Sequence, residues 1–257
     1  KVRQYQPPVM SRVYSDDARL MAELASERRI FVPIGSIPKI VQEAFISAED
    51  QHFWTHRGVD PGAIVRAALS NLQHYGQGRR PVGASTITQQ VAKNMLLGNE
   101  VSFARKIREM ILATRIEEAL PKEHILELYL NEIYLGSGAY GVAAAAQTYF
   151  DKSLDRITLP EAAFLAALPK APANYNPFTA PDAARVRRDW VIDRLADDRK
   201  ISASEAATAK SGPIAPSEFR RPPPVPAAEW YAEDVRRQLV GQFGVEKAIQ
   251  GGMVVRT

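Results

Sequence analysis

Pro38-Lys39-Ile40-Val41-Gln42-Glu43-Ala44-Phe45-Ile46-Ser47-Ala48-Glu49-Asp50-Gln51-His52-Phe53-Trp54-Thr55-His56-Arg57-Gly58 is the stretch from which the rest of the chain is read. Ile40, Val41, Ala44, Phe45 and Ala48 recur at intervals of three and four, the spacing of the buried face of a helix. Glu43 falls outside that stripe, whereas Glu49 stands at its edge, next to the core boundary. The spacing predicts an amphipathic helix that carries the acid pair Glu49-Asp50 among aromatic residues and stops at Gly58. A carboxylate walled in by Phe53 and Trp54 would lose hydration, and that loss raises its proton affinity towards the range of a general base. Acid pairs near helix ends more often serve solvation or capping, so the pair alone does not assign a function. His52 and His56, four residues apart, could face one metal ion, but a catalytic zinc needs three protein ligands and His74 and His124 lie in no matching context.

Helical spacing continues downstream, over about 61–74, 86–97, 103–119, 122–134, 139–150, 159–168, 182–199 and 203–210. Several starts carry proline or an acid in the first turn: Asp60-Pro61, Pro121-Lys122-Glu123, Pro160-Glu161 and Pro181-Asp182. Almost nothing between 36 and 211 reads as strand, so the main domain is expected to be all-α. Upstream, the alternation around Val13-Tyr14-Ser15 and Ile30-Phe31-Val32 predicts a short hairpin or an extended entry segment. Downstream, Arg220-Arg221-Pro222-Pro223-Pro224-Val225-Pro226 is a stiff, extended connector, because proline fixes φ and removes donors. A helix over about 227–243 and a strand-like Gly251-Gly252-Met253-Val254-Val255-Arg256-Thr257 follow it. The expected organisation is an opening segment with a short β hairpin at 1–35, a main domain at 36–211, and a connector, helix and linker strand at 212–257. The opening at Lys1-Val2-Arg3 and the strand-like close read as a piece of something longer.

The chain has 257 residues, 46% of them hydrophobic, enough to fill a large core. It contains no cysteine, which excludes disulfides, thiolate zinc sites and a cysteine nucleophile. The net charge of +4 is too small to suggest a nucleic-acid partner. Between Pro61 and Glu100, however, Arg66, Arg79, Arg80 and Lys93 face only Glu100, a local excess that suits an anionic ligand or a membrane surface. No apolar run approaches the roughly 18 residues of a membrane span.

Three further blocks can carry chemistry. Gly83-Ala84-Ser85-Thr86-Ile87-Thr88-Gln89-Gln90 places hydroxyls, carboxamides and backbone N–H groups at a helix start, where a phosphate can bind, although capping by Ser85 or Thr86 is the plainer use. Arg105-Lys106-Ile107-Arg108-Glu109 is either a surface ion pair or a cationic grip on a diphosphate, and Phe103, Ile107, Met110, Ile111 and Thr114 form the opposing face of its helix. Lys122-Glu123-His124-Ile125-Leu126-Glu127-Leu128-Tyr129-Leu130-Asn131-Glu132-Ile133-Tyr134-Leu135-Gly136 reads as scaffold, with Glu127 and Asn131 as internal hydrogen-bonding groups. Between the first two blocks, Ile64, Val65, Ala68, Leu69, Leu72 and Tyr75 form an apolar face that ends at Arg79-Arg80.

These four blocks, in this order and followed by Leu165-Ala166-Ala167-Leu168-Pro169-Lys170-Ala171-Pro172-Ala173-Asn174-Tyr175-Asn176-Pro177, resemble the peptidoglycan glycosyltransferases of glycosyltransferase family 51. The closer likeness is to the N-terminal half of bifunctional class A penicillin-binding proteins, over roughly 12–199. The resemblance implies a mainly α, lysozyme-like, bilobal domain with a head and a membrane-apposed jaw. It implies lipid II and the nascent glycan chain as substrates, β-1,4 bonds made with inversion, and release of undecaprenyl diphosphate. By the same likeness Glu49 is the general base and Glu109 the second catalytic acid, with Asp50, Phe53, Ser85, Thr86, Gln89, Gln90, Lys93, Arg105, Lys106, Arg108 and Asn131 as substrate-binding residues. It further implies membrane contact through about 64–82, a place at the periplasmic face of a bacterial inner membrane, a transpeptidase domain in the full-length chain, other cell-wall synthesis proteins as partners, and inhibition by moenomycin. No tightly bound cofactor is expected; a divalent cation, Mg2+ or Mn2+, is compatible with a diphosphate, but no ligand set is assigned. One position departs from the family pattern, which puts an arginine where this chain has Val101. A lytic muramidase, which needs no diphosphate grip, and a non-catalytic membrane or partner-binding module are the rival readings.

Overall fold

The computed structural model describes residues 11–14, 16, 20–24, 28–74, 83–96, 102–217, 229–244, 247–248 and 253–256. Tyr75, Arg79, Arg80, Val101 and the proline-rich connector, to which the sequence reading assigned roles, lie outside them. Among the described residues the chain is mainly helical, with ten α-helices and five short strands. None of these helices is long and apolar enough to cross a membrane.

Helix α1 (Lys39–Glu49) buries Val41, Ala44 and Phe45 as its spacing requires. It ends earlier than predicted: Glu49 is its last residue, Asp50 is the C-cap and 51–57 form turns. The cause is tertiary: the Asp50 carboxylate is taken by groups outside the helix, the Ile87 N–H and His56. Glu43, placed off the stripe from sequence, is buried at 8% exposure and pairs with Lys39 at 3.3 Å and Lys200 at 3.0 Å. Helix α2 (Pro61–Gln73) starts as its sequence dictates, with Asp60 accepting from the Ala63 N–H at 2.9 Å and proline in the first turn.

Helices α3 (Ile87–Leu96) and α4 (Phe103–Ala119) pack on each other, and α3 also packs on α5 (Lys122–Glu132). Helices α6 (Val142–Phe150), α7 (Leu159–Ala167), α8 (Pro181–Asp197) and α9 (Ala203–Ser211) complete the helical body. At its centre α7 lies against α1 and α8, with every residue from Ala162 to Leu168 fully buried. Phe164 meets Tyr149 and Phe150 edge to face at 5.4 and 5.7 Å. Burying each such aromatic is worth roughly 1.5–3 kcal/mol. Helix α6 starts three residues later than predicted, since Ala139–Tyr140 forms strand β4, parallel to β3 (Arg28–Arg29).

Strands β1 (Ser11–Tyr14) and β2 (Leu20–Leu24) form an antiparallel pair. The strand-like C-terminal segment supplies β5 (Val254–Arg256), which joins β1 in parallel. Val13, Val235, Leu239 and Ala248 form a second small core there, the helical part coming from α10 (Glu229–Phe243). The two ends of the chain therefore share one sheet.

Candidate active site

A cleft of about 310 Å3 opens between the end of α1, the first half of α2, the segment before α3 and one face of α8. Glu49, Asp50, His52, Asp60, Arg66, Ser85, Thr86, Trp190 and Arg194 all line it. Glu49, the last residue of α1, lines the cleft. Gln90, on α3, donates from Nε2 to Glu49 Oε2 at 2.8 Å. Burial pushes the Glu49 carboxyl above its ordinary value of 4.5, and the Asp50 charge adds to the rise. The Gln90 hydrogen bond and the charges of Arg187 and Lys170 oppose it. The desolvation foreseen from sequence is present, but Phe53 is not an open wall of the cleft. It is wholly buried, edge-on to Trp54 at 5.0 Å, with Lys122 Nζ 4.5 Å from its ring centre.

Asp50 is buried and structural. Its Oδ2 accepts from the Ile87 N–H at 2.9 Å and from His56 Nε2 at 2.8 Å, so it joins the end of α1 to the start of α3. The Gly58 N–H donates to His56 Nδ1 at 3.1 Å, which leaves Nε2 as the donor to Asp50. Below His56, Lys122 Nζ donates to Glu117 at 2.6 Å, and the Thr88 hydroxyl donates to the same oxygen at 2.6 Å. Gly58, at φ 91°, crosses α4 so closely that a Cβ would lie 2.7 Å from the Ala113 carbonyl carbon. Only glycine fits there. The two histidines take separate carboxylates, since His52 Nδ1 lies 2.8 Å from Asp60 Oδ2. They do not converge on one metal ion.

Thr86 and Gln89 cap α3 reciprocally: the Gln89 N–H donates to Thr86 Oγ1 at 3.1 Å, and the Thr86 N–H donates to Gln89 Oε1 at 2.9 Å. The Thr86 hydroxyl also donates to the Gly58 carbonyl at 2.6 Å. Both side chains are buried, and Gln89 Oε1 and Thr86 Oγ1 serve the helix start. Asn131 likewise leaves the substrate-binding set. Its Nδ2 donates to the Val32 and Glu127 carbonyls at 2.9 and 2.8 Å, and its Oδ1 accepts from the Val32 N–H at 2.8 Å. This is the internal role expected of it, and Glu127 shares it by accepting from the Ile34 N–H at 2.7 Å.

Ser85 links the cleft to the basic helix. Lys106 Nζ donates to Ser85 Oγ at 2.7 Å and to Glu109 Oε2 at 2.9 Å. Glu109 is buried, and Arg105 Nε stands 3.2 Å from its other oxygen without hydrogen-bond alignment. Glu109 is thus clasped by two cations. Lys106 keeps 44% of its side chain exposed, so its charge still reaches solvent beside the cleft. Arg108 and Lys93 are exposed on α4 and α3. No group of three or more His, Asp or Glu side chains converges for a metal among the described residues. A divalent cation beside Glu109 would displace Lys106 or Arg105 from it.

Sequence reading missed the far wall. Trp190 and Arg194 face the cleft from α8, and Arg187, one turn earlier, lies with Cζ 3.8 Å from the Trp190 ring centre. The signal was present as the i, i+3, i+7 spacing of these three residues, but it was subsumed in an α8 read only as a helix.

The family described as transglycosylase matches residues 17–196. The chain is 49% identical over 244 residues to penicillin-binding protein 1A of Rickettsia bellii, covering 95% of this chain and 31% of the relative. It is 43% identical over 251 residues to penicillin-binding protein 1A of Aquifex aeolicus, covering 98% of this chain and 34% of the relative. The crystal structure of penicillin-binding protein 1A from Haemophilus influenzae superposes with a TM-score of 0.54 at 30% identity, over 98% of this chain and 27% of that one. The chain spans about a third of the length of these curated relatives.

Proposed function

The chain belongs to the transglycosylase family, and from that premise we propose that it polymerises lipid II into β-1,4-linked glycan strands, with inversion and release of undecaprenyl diphosphate. Glu49 takes the proton from the acceptor sugar's 4-hydroxyl. The oxygen so freed attacks the anomeric carbon of the donor, whose bond to the diphosphate oxygen breaks, and the electron pair leaves with the diphosphate. That leaving group is already strongly anionic, so it needs stabilising charge more than a proton. Lys106 supplies this charge at the cleft, with Arg105, Arg108 and Lys93 around it, while Glu109 holds Lys106 and Arg105 in place. Ser85 offers a hydroxyl on the same side, and Gln90 orients the base. A Mg2+ or Mn2+ ion beside the diphosphate would add charge of the same sign.

The observation that carries this reading is the link from Glu49 to Glu109: Ser85 lines the cleft that holds the desolvated Glu49 carboxylate, and Lys106 joins that serine to Glu109. A base with raised proton affinity and a clasped cation thus meet across one opening. A muramidase cutting neutral sugar links has no use for the cation cluster.

The jaw's contact with the bilayer belongs to the same proposal. Val65, Leu69 and Leu72 stand 58%, 57% and 74% exposed on α2. On α4 the face read as opposing the basic residues is also open, with Phe103 82% exposed and Ile107 and Ile111 about half exposed. Apolar faces of this kind beside basic residues suit an interfacial position. A transpeptidase domain and cell-wall partners, which the resemblance implies, are part of the same proposal, since the chain spans about a third of the length of its penicillin-binding protein 1A relatives. Incubation with labelled lipid II in detergent tests the activity. A ladder of glycan chains, abolished by moenomycin, supports it; intact lipid II, or lysis of isolated walls without lipid II, contradicts it.

A further inference from the structure

Helix α8 carries several arginines, and most are spent on acceptors. Arg188 binds Asp189 Oδ1 at 2.7 Å and the Gly212 carbonyl at 2.8 Å. Arg194 pairs with Asp197 at 3.3 Å, and Arg185 lies 3.8 Å from Asp182. Arg187 differs. Among the described residues no carboxylate or carbonyl takes its guanidinium, and its Nε is buried without an acceptor. A buried N–H donor left without an acceptor is costly unless a ligand supplies one.

The setting tells which ligand. Arg187 lies over the ring of Trp190, which lines the cleft together with Glu49 and Arg194. Stacking fixes the plane of a guanidinium and leaves its edge free for a two-pronged contact with a carboxylate or phosphate. Arg187 thus stands behind a ring that borders the same opening as Glu49, and the Glu49 charge acts on its guanidinium. Helix α8 packs on α1, whereas Lys106 reaches the cleft from α4, which packs on α3. The two cationic groups therefore come from different elements.

We propose that Arg187, carried on Trp190, is a second anion-binding subsite of the cleft, and that it takes an oxyanion of the substrate other than the departing diphosphate. This rests on the functional reading above. Lipid II offers that chemistry from two sources, the carboxylates of its stem peptide and the diphosphate of the acceptor molecule.

The test measures initial rates against lipid II concentration for the wild type, Arg187→Gln and Arg187→Lys, with ordinary lipid II and with lipid II whose stem carboxylates are amidated. Arg187→Gln should raise KM about tenfold with kcat within a few-fold, and Arg187→Lys, which keeps the charge but loses the fork, should fall between. If the stem carboxylate is the ligand, amidation raises the wild-type KM to a similar extent and Arg187→Gln adds nothing further. If the acceptor diphosphate is the ligand, amidation leaves the wild type unchanged and the Arg187→Gln defect persists on both substrates. The subsite is overturned by an unchanged KM in both variants, or by a fall in kcat alone with a displaced acid limb of the pH profile, which would make Arg187 only a tuner of Glu49. Should Arg187→Gln fail to fold, Arg187→Lys and Trp190→Phe carry the same comparison. A wild type that makes no polymer from either substrate sinks the functional reading and the subsite's role with it; polymer from the wild type with indifferent variants sinks the subsite alone.

Discussion

Gln90 donates to Glu49 across the space between α3 and the end of α1, at 2.8 Å, so the proposed base is held by the helix whose start Asp50 caps. The bond favours the ionised carboxylate. Replacing Gln90 with leucine removes that preference and raises the proton affinity of Glu49 further. The acid limb of the kcat/KM profile should then move to higher pH, with a loss of roughly tenfold at neutral pH. An acid limb that stays in place would show that Gln90 does not act on the base.

Glu49 should also show the cost of its own site. Burial raises its folded-state value above the ordinary 4.5, so between 4.5 and the raised value the folded chain binds more protons than the unfolded chain, and stability falls as pH rises through that window. Glu49→Gln removes the charge and should melt at a higher temperature than the wild type at pH 7.5. At pH 4, where both side chains are neutral, the two melting temperatures should coincide. Equal melting temperatures at pH 7.5 would contradict a desolvated carboxylate.

Lys106 spans Ser85 and Glu109. Lys106→Met frees the serine and leaves Glu109 with Arg105 alone, and it takes one cation from the proposed diphosphate site. A fall in kcat of about 100-fold is expected from such a loss of transition-state charge. Steady-state polymerisation rates against lipid II concentration check this, and a change confined to KM would restrict Lys106 to ground-state binding.

Lys122 and Glu117 are mostly buried and paired at 2.6 Å beneath His56. Lys122→Met strands the Glu117 charge and should destabilise the fold by about 3 kcal/mol. Urea unfolding reports it. A combined Lys122→Met, Glu117→Leu variant should recover most of the loss, because the stranded charge is gone.

The exposed apolar face of α2 gives a binding prediction. Leu69→Ser with Leu72→Ser removes two side chains worth roughly 1.5–3 kcal/mol each when buried. Flotation with liposomes containing anionic lipid should show at least a tenfold loss of association, deepened by Phe103→Ser. Unaltered flotation would place the membrane contact elsewhere.

Much of the fold was legible because its signals are local. The stripe from Ile40 to Ala48, proline at the starts of α2 and α8, and the basic run of α4 each declare a helix within a few residues. Helix ends were less legible, since α1 stops where Asp50 is claimed by Ile87 and His56, and those partners are distant or turn-borne. Functional residue types were recognised more readily than their employment. Thr86 Oγ1, Gln89 Oε1, Asp50 Oδ2 and both polar atoms of Asn131 are engaged by the backbone or a neighbouring side chain, a choice set by tertiary packing. Arg187 shows the converse. Its sequence neighbours are other arginines, and only the structure separates the one stacked on Trp190 from those paired with acids.

Glu49 is proposed to remove a proton from an acceptor hydroxyl, in a cleft that still binds substrate when that carboxylate is neutral. Glu49→Gln, incubated with labelled lipid II and resolved by gel, tests it alongside a binding titration with the same lipid. The variant should give no glycan ladder, lipid II affinity within a few-fold of the wild type, and a fold at least as stable. Glycan chains made by Glu49→Gln at a rate near that of the wild type would contradict it.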